Sequence, residues 1–249
     1  MQIQLIRNAT LRITYGEHSF ITDPYCAPKH YEEPLVGKSR NPIVDLPFSA
    51  EEVLAGLEMA LVSHLHPDHF DSVAKELLPR GVPIYCQPGD EGQIKEAGFS
   101  NVTAVGGSVA WNRLKITRTP GQHGNEVWAT QMGAVSGFIF RAEKERTIYW
   151  AGDTIWCEPV RQVIRTTKPD IIITHSSGAS FEPGNPIIMD GQQTIEVCRA
   201  APQATVIAIH METFDFDTVS RKDLRAMAEA EGIAASQLLI PVDGATLAL

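Results

Sequence analysis

The chain has only four cysteines in 249 residues, and none of them are paired as CxxC. Cys26, Cys86, Cys157 and Cys198 stand far apart, which argues against a disulfide framework and a thiolate zinc site and predicts four reduced thiols. No apolar run approaches the roughly 20 residues that a membrane-spanning helix needs. The opening MQIQLIRNATLRITYG also lacks the basic-then-apolar pattern of a secretory leader. These absences predict a cytoplasmic protein without a membrane span. Positive charge is scarce: 21 Lys and Arg against 30 Asp and Glu give a net charge of −9. That balance opposes a long non-specific nucleic-acid track, which needs summed positive charge along the backbone path, so no nucleic-acid partner is expected. Low-complexity segments, fixed-period repeats and Gly/Ser linkers are missing too, and one continuous domain over 1–249 is the expectation, with self-association left open.

What is present is a hydrophobic fraction of 43%, enough for a sizeable core. Short alternating or apolar runs predict strands at 3–6, 10–15, 19–22, 59–62, 83–86, 102–105 and 114–119 in the first half. In the second half, 135–141 and 147–151 read as a hairpin, and 171–174, 206–209 and 238–240 as buried strands separated by helices. Ser49 followed by Glu52 is a capping-box pair that marks a helix start. Two mixed sheets with helices outside accommodate this order.

The chain holds eight histidines, and three of them fall in the stretch LVSHLHPDHFDS. His64, His66, Asp68 and His69 follow an apolar strand, and Pro67 stops regular structure there, so they lie on a loop leaving a sheet edge. Side chains two apart on extended chain point the same way, so His64 and His66 can grip one ion while the turn at Pro67 swings Asp68 and His69 towards another. A chance HxHxDH in a chain of this composition is on the order of one in a few thousand, whereas a lone histidine is usually structural. Each ion needs about four ligands, and catalytic sites keep a position open, so more must come from elsewhere. His123 in QHG, Asp153 in AGDT and His210 in AIHM each follow a predicted strand, where ligands collect on mixed α/β scaffolds. Taken singly, each is as readily a polar residue closing a buried strand. Their shared placement is the argument.

In order, HLHPDH, QHG, AGDT and a late IH resemble the metallo-β-lactamase fold superfamily, and the opening strands up to the Asp-Pro at 23–24 are similar to its first strands. Within it, the pattern is most similar to the branch of L-ascorbate-6-phosphate lactonase-like hydrolases and the N-acyl-phosphatidylethanolamine phospholipase D group. The resemblance implies a four-layer αββα sandwich of two mixed sheets flanked by helices, with two metal ions between the sheets. It assigns His64, His66 and His123 to one ion, Asp68, His69 and His210 to the other, and Asp153 to both. Imidazole and carboxylate donors suit zinc or manganese, with iron as an alternative. Such a pair generates hydroxide from bound water near neutral pH. The implied activity is hydrolysis of a small-molecule lactone, ester or phosphodiester. The other classes are a mononuclear iron oxidoreductase of dioxygenase type and a non-catalytic member of the fold; retention of all seven ligand types argues against the second.

Four further residues are candidates for supporting roles. Asp23 can accept the proton of a ligand histidine and fix its tautomer, or simply close an Asp-Pro turn. Asp190 precedes a helix with Gln193 three residues later, and its plainest role is an N-cap, a metal role being the alternative. His175 ends a strand and rivals His210 as the last ligand. Trp128 and the stretch 176–185 are candidate pocket walls. The segment 25–45, rich in Pro and charge, reads as a lid; its Lys29, His30, Lys38 and Arg40 either meet an anionic group or belong to a plain solvated loop, the second reading being at least as strong.

Overall fold

Along several strands every side chain is buried, and successive side chains enter different cores. The computed structural model describes all 249 residues, and its strands fall into two seven-stranded sheets. In β4 (Met59–Val62), Met59 and Leu61 face the space between the sheets while Ala60 and Val62 face helices. In β11 (Ile171–His175), Ile171 and Ile173 point inward and Ile172 outward. A strand with two buried faces reads as a continuous apolar run, which is why alternation is absent there.

The first sheet begins with the antiparallel strands β1 (Gln2–Arg7), β2 (Thr10–Tyr15) and β3 (His18–Thr22). It continues in parallel through β4, β5 (Ile84–Cys86) and β6 (Val102–Ala104), with β14 (Thr246–Ala248) added at the β1 edge. The second sheet repeats the scheme. β7 (Ser108–Trp111), β8 (Leu114–Pro120), β9 (Ser136–Arg141) and β10 (Ile148–Trp150) are antiparallel, and β11, β12 (Thr205–Ile209) and β13 (Leu238–Leu239) follow in parallel.

Twenty buried residues, among them Leu5, Phe20, Phe138, Trp150 and Ile207, fill the space between the sheets. Helices α1 (Ala50–Leu54), α2 (Ser72–Leu77) and α3 (Glu91–Glu96) cover the outer face of the first sheet through Val53, Ala74 and Ile94. α5 (Glu158–Thr167), α6 (Gly191–Ala200) and α7 (Arg221–Ala230) cover the second through Val160, Ile195 and Leu224. The result is the αββα sandwich that the pattern implied. α1 opens with the reciprocal Ser49/Glu52 cap, both hydrogen bonds being present. α4 (Glu126–Met132) buries no residue and lies over the site described below.

Two strands lack a sequence signal. β7 and β14 are short outer strands of their sheets with mostly exposed or half-exposed side chains, so neither periodicity nor a buried run marks them. The topology fixes where function can sit. β3, β4, β8, β10, β11 and β12 run in the direction that brings their carboxyl ends to a common edge, and the chain turns there into the loops that carry the predicted ligands.

Candidate metal centre

The loop after β4 is held at both ends. Behind it, Val62 packs in the outer core, and ahead of it Asp71 caps α2 by accepting the Ala74 N–H at 3.0 Å while also accepting that of Cys26. Within it the His69 and Phe70 amides both donate to the His66 carbonyl, closing the turn around Pro67, and Phe70 is fully buried. From the second sheet come His123 beyond β8, Asp153 beyond β10, His175 as the last residue of β11 and His210 directly after β12. Gly152, with φ of +69°, turns the chain after β10 so that Asp153 enters the site; a Cβ there would stand 2.5 Å from the Ser136 carbonyl oxygen. His210 itself holds a left-handed φ of 59°, and Asp23 one of 40°, the kind of backbone strain that clusters at functional sites.

The seven predicted ligands converge. Ligand-type atoms of His64, His66 and His123 lie within 4.8 Å of one another, as do those of Asp68, His69 and His210. Asp153 stands between the triads: its Oδ2 is 3.2 Å from His69 Nε2, 3.3 Å from His123 Nε2 and 3.9 Å from His64 Nε2. His210 Nε2 is 3.2 Å from Asp68 Oδ2 and 3.9 Å from Asp153 Oδ1. His64, His69, His123, Asp153 and His210 are all buried, while Asp68 and His66 face the cavity.

Each of four imidazoles has one nitrogen tied down on its outer side. Asp23 Oδ2 accepts from His69 Nδ1 at 2.6 Å and from the Ser63 hydroxyl at 2.7 Å. That hydroxyl has spent its hydrogen, so it accepts from His64 Nδ1 at 2.9 Å. The Ile187 carbonyl accepts from His123 Nδ1 at 2.8 Å and the Met132 carbonyl from His66 Nε2 at 3.1 Å. A carbonyl or carboxylate only accepts, so in each neutral ring the hydrogen lies outside and the lone pair faces the centre. His64 Nε2 and His69 Nε2 are accordingly buried with no hydrogen-bond partner. A buried polar atom without a partner is costly unless something else satisfies it, and inward lone pairs backed by outer acceptors are how protein sites present imidazole to a cation. The residues fit a divalent metal.

The charge distribution divides the histidines: against the effect of burial, the carboxylates of Asp68 and Asp153 hold His69 and His210 above the ordinary histidine range. Burial pushes His64 and His123 below the ordinary histidine range, which keeps them as neutral donors. Burial alone would raise the carboxyls of Asp68 and Asp153, but the surrounding imidazoles, His69 and His210 foremost, hold both well below the usual range. No arginine or lysine side chain pairs with any of these carboxylates.

The supporting candidates separate clearly. Asp23 backs the centre as described. Asp190 belongs to none of the convergent His/Asp groups; it caps α6 by accepting the Gln193 N–H at 2.8 Å. His175 stands at the edge of the centre, in a convergent group with Asp153 and His210, and its Nδ1 lies 2.5 Å from Asp153 Oδ1. Trp128 lines a cavity of about 440 Å³ that opens onto His66, Asp68, His123, Asp153 and His210. Of the two readings of the cations in the 25–45 segment, the structure fits the solvated loop. That segment contributes Leu35 and Val36 to the cavity, whereas Lys29, His30, Lys38 and Arg40 are all exposed and outside its lining. Asp215 holds the Lys38 and Ser39 amides at 2.7 and 2.8 Å, and Arg40 pairs with Glu33, so the cations face solvent. Sequence reasoning also missed Ser63, whose only signal was its place directly before the motif, and the walls Met132, Ile187 and Phe216.

Residues 18–211 match the family described as the Beta-lactamase superfamily domain. The UPF0173 protein YddR of Bacillus subtilis (strain 168) is 34% identical over 98% of both chains. The UPF0173 metal-dependent hydrolase MJ1163 of Methanocaldococcus jannaschii is 25% identical, covering 84% of this chain and 90% of that protein. Among solved structures, an isothiocyanate hydrolase from Delia radicum gut bacteria superposes with a TM-score of 0.93 at 34% identity, over 100% of this chain and 99% of its own.

Proposed function

This chain belongs to the beta-lactamase superfamily and, within it, to the UPF0173 metal-dependent hydrolases, and on that premise we propose that it hydrolyses a small uncharged electrophile bearing an apolar group, an isothiocyanate foremost, at a two-metal centre. His64, His66 and His123 would hold one ion, Asp68, His69 and His210 the other, and Asp153 both. The imidazole and carboxylate donor set suits zinc or manganese, with iron as the alternative. When bound, such a pair lowers the pKa of coordinated water from 15.7 towards about 7 and polarises the substrate. The chain's own part is to fix the ligand geometry through Asp23, Ser63 and the carbonyls of Met132 and Ile187, and to shape a largely apolar cavity.

One observation carries the substrate class. Nine of the 16 residues lining the cavity are hydrophobic, including Trp128, Met132, Phe181 and Phe216, and none is lysine or arginine. An anionic phosphodiester would find no counter-charge there other than the metals, and the carboxylates of Asp68 and Asp153 would repel it. An isothiocyanate is neutral, with an electrophilic carbon and an apolar substituent that the cavity can desolvate. The isothiocyanate hydrolase at 34% identity supports the same class. The reaction balances without a co-reactant: R–N=C=S and water give R–NH₂ and O=C=S. The water oxygen bonds to the central carbon, the carbon–nitrogen bond breaks, and both protons end on nitrogen. Neutral lactones and esters, the substrates suggested by the sequence resemblance, satisfy the same cavity and form the second reading.

The test is a panel of benzyl isothiocyanate, a γ-lactone, an aryl ester and a bis-aryl phosphodiester, run beside elemental analysis. We expect amine and carbonyl sulfide from the first, slower turnover of the two esters, none of the phosphodiester, and two divalent ions per chain. Preference for the phosphodiester, or turnover no faster than that of Asp153→Ala, sinks the reading.

A further inference from the structure

Asp153 is gripped from behind by a chain of two side chains that the reaction as proposed does not use. Trp150 and His175 are both fully buried, on the neighbouring parallel strands β10 and β11. The Trp150 indole nitrogen lies 3.0 Å from His175 Nε2, and His175 Nδ1 lies 2.5 Å from Asp153 Oδ1. Trp150 is held in turn by stacking on Phe138, with ring centroids 5.9 Å apart.

The hydrogen positions follow from chemistry. An indole N–H only donates, so His175 Nε2 must accept, and the hydrogen of the neutral ring lies on Nδ1, where it points at the carboxylate. A doubly protonated ring would set two donors against each other at Nε2. The opposite tautomer would set two lone pairs against each other at Nδ1. With both nitrogens engaged, His175 has no lone pair for a metal, although it sits in one of the convergent His/Asp groups with Asp153 and His210.

We infer that His175, locked by Trp150, is a positioning residue for Asp153 and not a ligand, and that it fixes Oδ2 as the carboxylate oxygen turned towards the histidines that would hold the metals. Asp153 Oδ1 is occupied by the imidazole N–H. Oδ2 is left as the oxygen that stands within 3.2–3.9 Å of His69, His123 and His64 Nε2, atoms drawn from both triads. Without the N–H, the two oxygens become equivalent under rotation of the carboxylate, and the shared position is no longer specified. An indole outside the convergent His/Asp groups would thus set the orientation of the Asp153 carboxylate. The inference rests on reading Asp153 as the shared ligand.

The experiment follows metal binding, apart from turnover. Metal-free wild type, His175→Asn, His175→Gln and Trp150→Phe are titrated with Zn²⁺ against a chromophoric chelator, and the visible spectrum of each is recorded with Co²⁺. An asparagine amide nitrogen stands about where Nδ1 does, whereas a glutamine nitrogen stands about where Nε2 does. His175→Asn should therefore bind close to wild type with an unchanged cobalt spectrum. His175→Gln should bind about 10–100-fold more weakly, the usual effect of losing an outer hydrogen-bond partner. Trp150→Phe should weaken binding by a smaller factor and alter the spectrum, since the imidazole is then free to change tautomer. Melting curves with and without Zn²⁺ separate positioning from packing: positioning shrinks the rise that metal produces, whereas lost packing lowers both curves equally. Equal weakening in the Asn and Gln variants would make the imidazole a ligand and overturn the inference. So would wild-type binding by His175→Gln or by Trp150→Phe. A wild type that takes up no Zn²⁺ would instead remove the two-metal reading itself.

Discussion

Four of the convergent side chains come from the six residues 64–69, and four come from positions 123, 153, 175 and 210, at the carboxyl ends of β8, β10, β11 and β12 in the second sheet. The first group is made by local geometry: an extended pair, a proline turn closed on the His66 carbonyl, and a helix cap at Asp71 that ties the loop's far end to α2. The second exists only through topology. β10, β11 and β12 are neighbouring parallel strands, so their ends share an edge whatever the sequence distance between them. The loop therefore announces itself as a motif, whereas each strand tip taken singly reads as readily as a polar residue closing a buried strand, and only their shared placement marks them.

If the two regions are joined through Asp153, its removal should have the largest effect of any single change. Asp153→Ala is expected to bring turnover below detection and, under the two-metal proposal, to lower the metal content measured by elemental analysis below the two ions that proposal assigns, because each triad would lose the oxygen that links it to the other. Full metal content with lost activity would mean that the two regions assemble independently. The next effect falls on the loop side. Asp23 serves both His69 and, through Ser63, His64. Asp23→Asn should weaken Zn²⁺ binding about 10–100-fold, read by chelator competition, with the loss spread over both ions because one histidine of each triad is released. A defect confined to one ion would show that Asp23 acts on His69 alone.

Much of the centre was legible from residue type and order. The HxHxDH cluster, the strand-end positions of His123, Asp153 and His210, and the outer role offered for Asp23 all depend on patterns that survive in one dimension. The cavity was not legible, because its walls come from segments without periodicity. Leu35 and Val36 sit in a loop whose charges suggested the opposite polarity, and Ile187 and Phe216 lie in irregular stretches near the strand ends. His175 showed the limit most plainly: its position predicted a place at the centre, but only the indole of Trp150 on the adjacent strand decides that its nitrogens are already taken. The same reasoning covers β7 and β14, whose exposed edges carry no pattern to read.

A milder change tests the apolar wall, which draws on both regions. Trp128, on α4, packs against Phe181 with ring centroids 5.3 Å apart and lines the cavity. Trp128→Ala should raise KM for benzyl isothiocyanate about tenfold and leave kcat nearly unchanged, because it removes binding that substrate and transition state share. A fall in kcat at constant KM would place the indole at the reacting atoms instead.

The smallest effect sharpens the comparison by marking where the centre stops. Asp190 is a carboxylate near the end of the segment whose Ile187 carbonyl holds His123, so proximity alone would enrol it with the strand-tip group. Its side chain, however, is spent on the Gln193 amide at the start of α6, and Thr194 closes the first turn on the Asp190 carbonyl. Asp190→Ala should cost about 1 kcal/mol, the typical value of a lost N-cap, and lower Tm by about 2–4 °C in a chain of this size. Metal affinity and the cobalt spectrum should not change, because α6 packs against the outer face of the second sheet through Ile195 and Cys198 and the cap supports that packing from outside. A weakened metal site in this variant would mean that the cap is transmitted through Ile187 to His123, and that the strand-tip region is as locally built as the loop opposite.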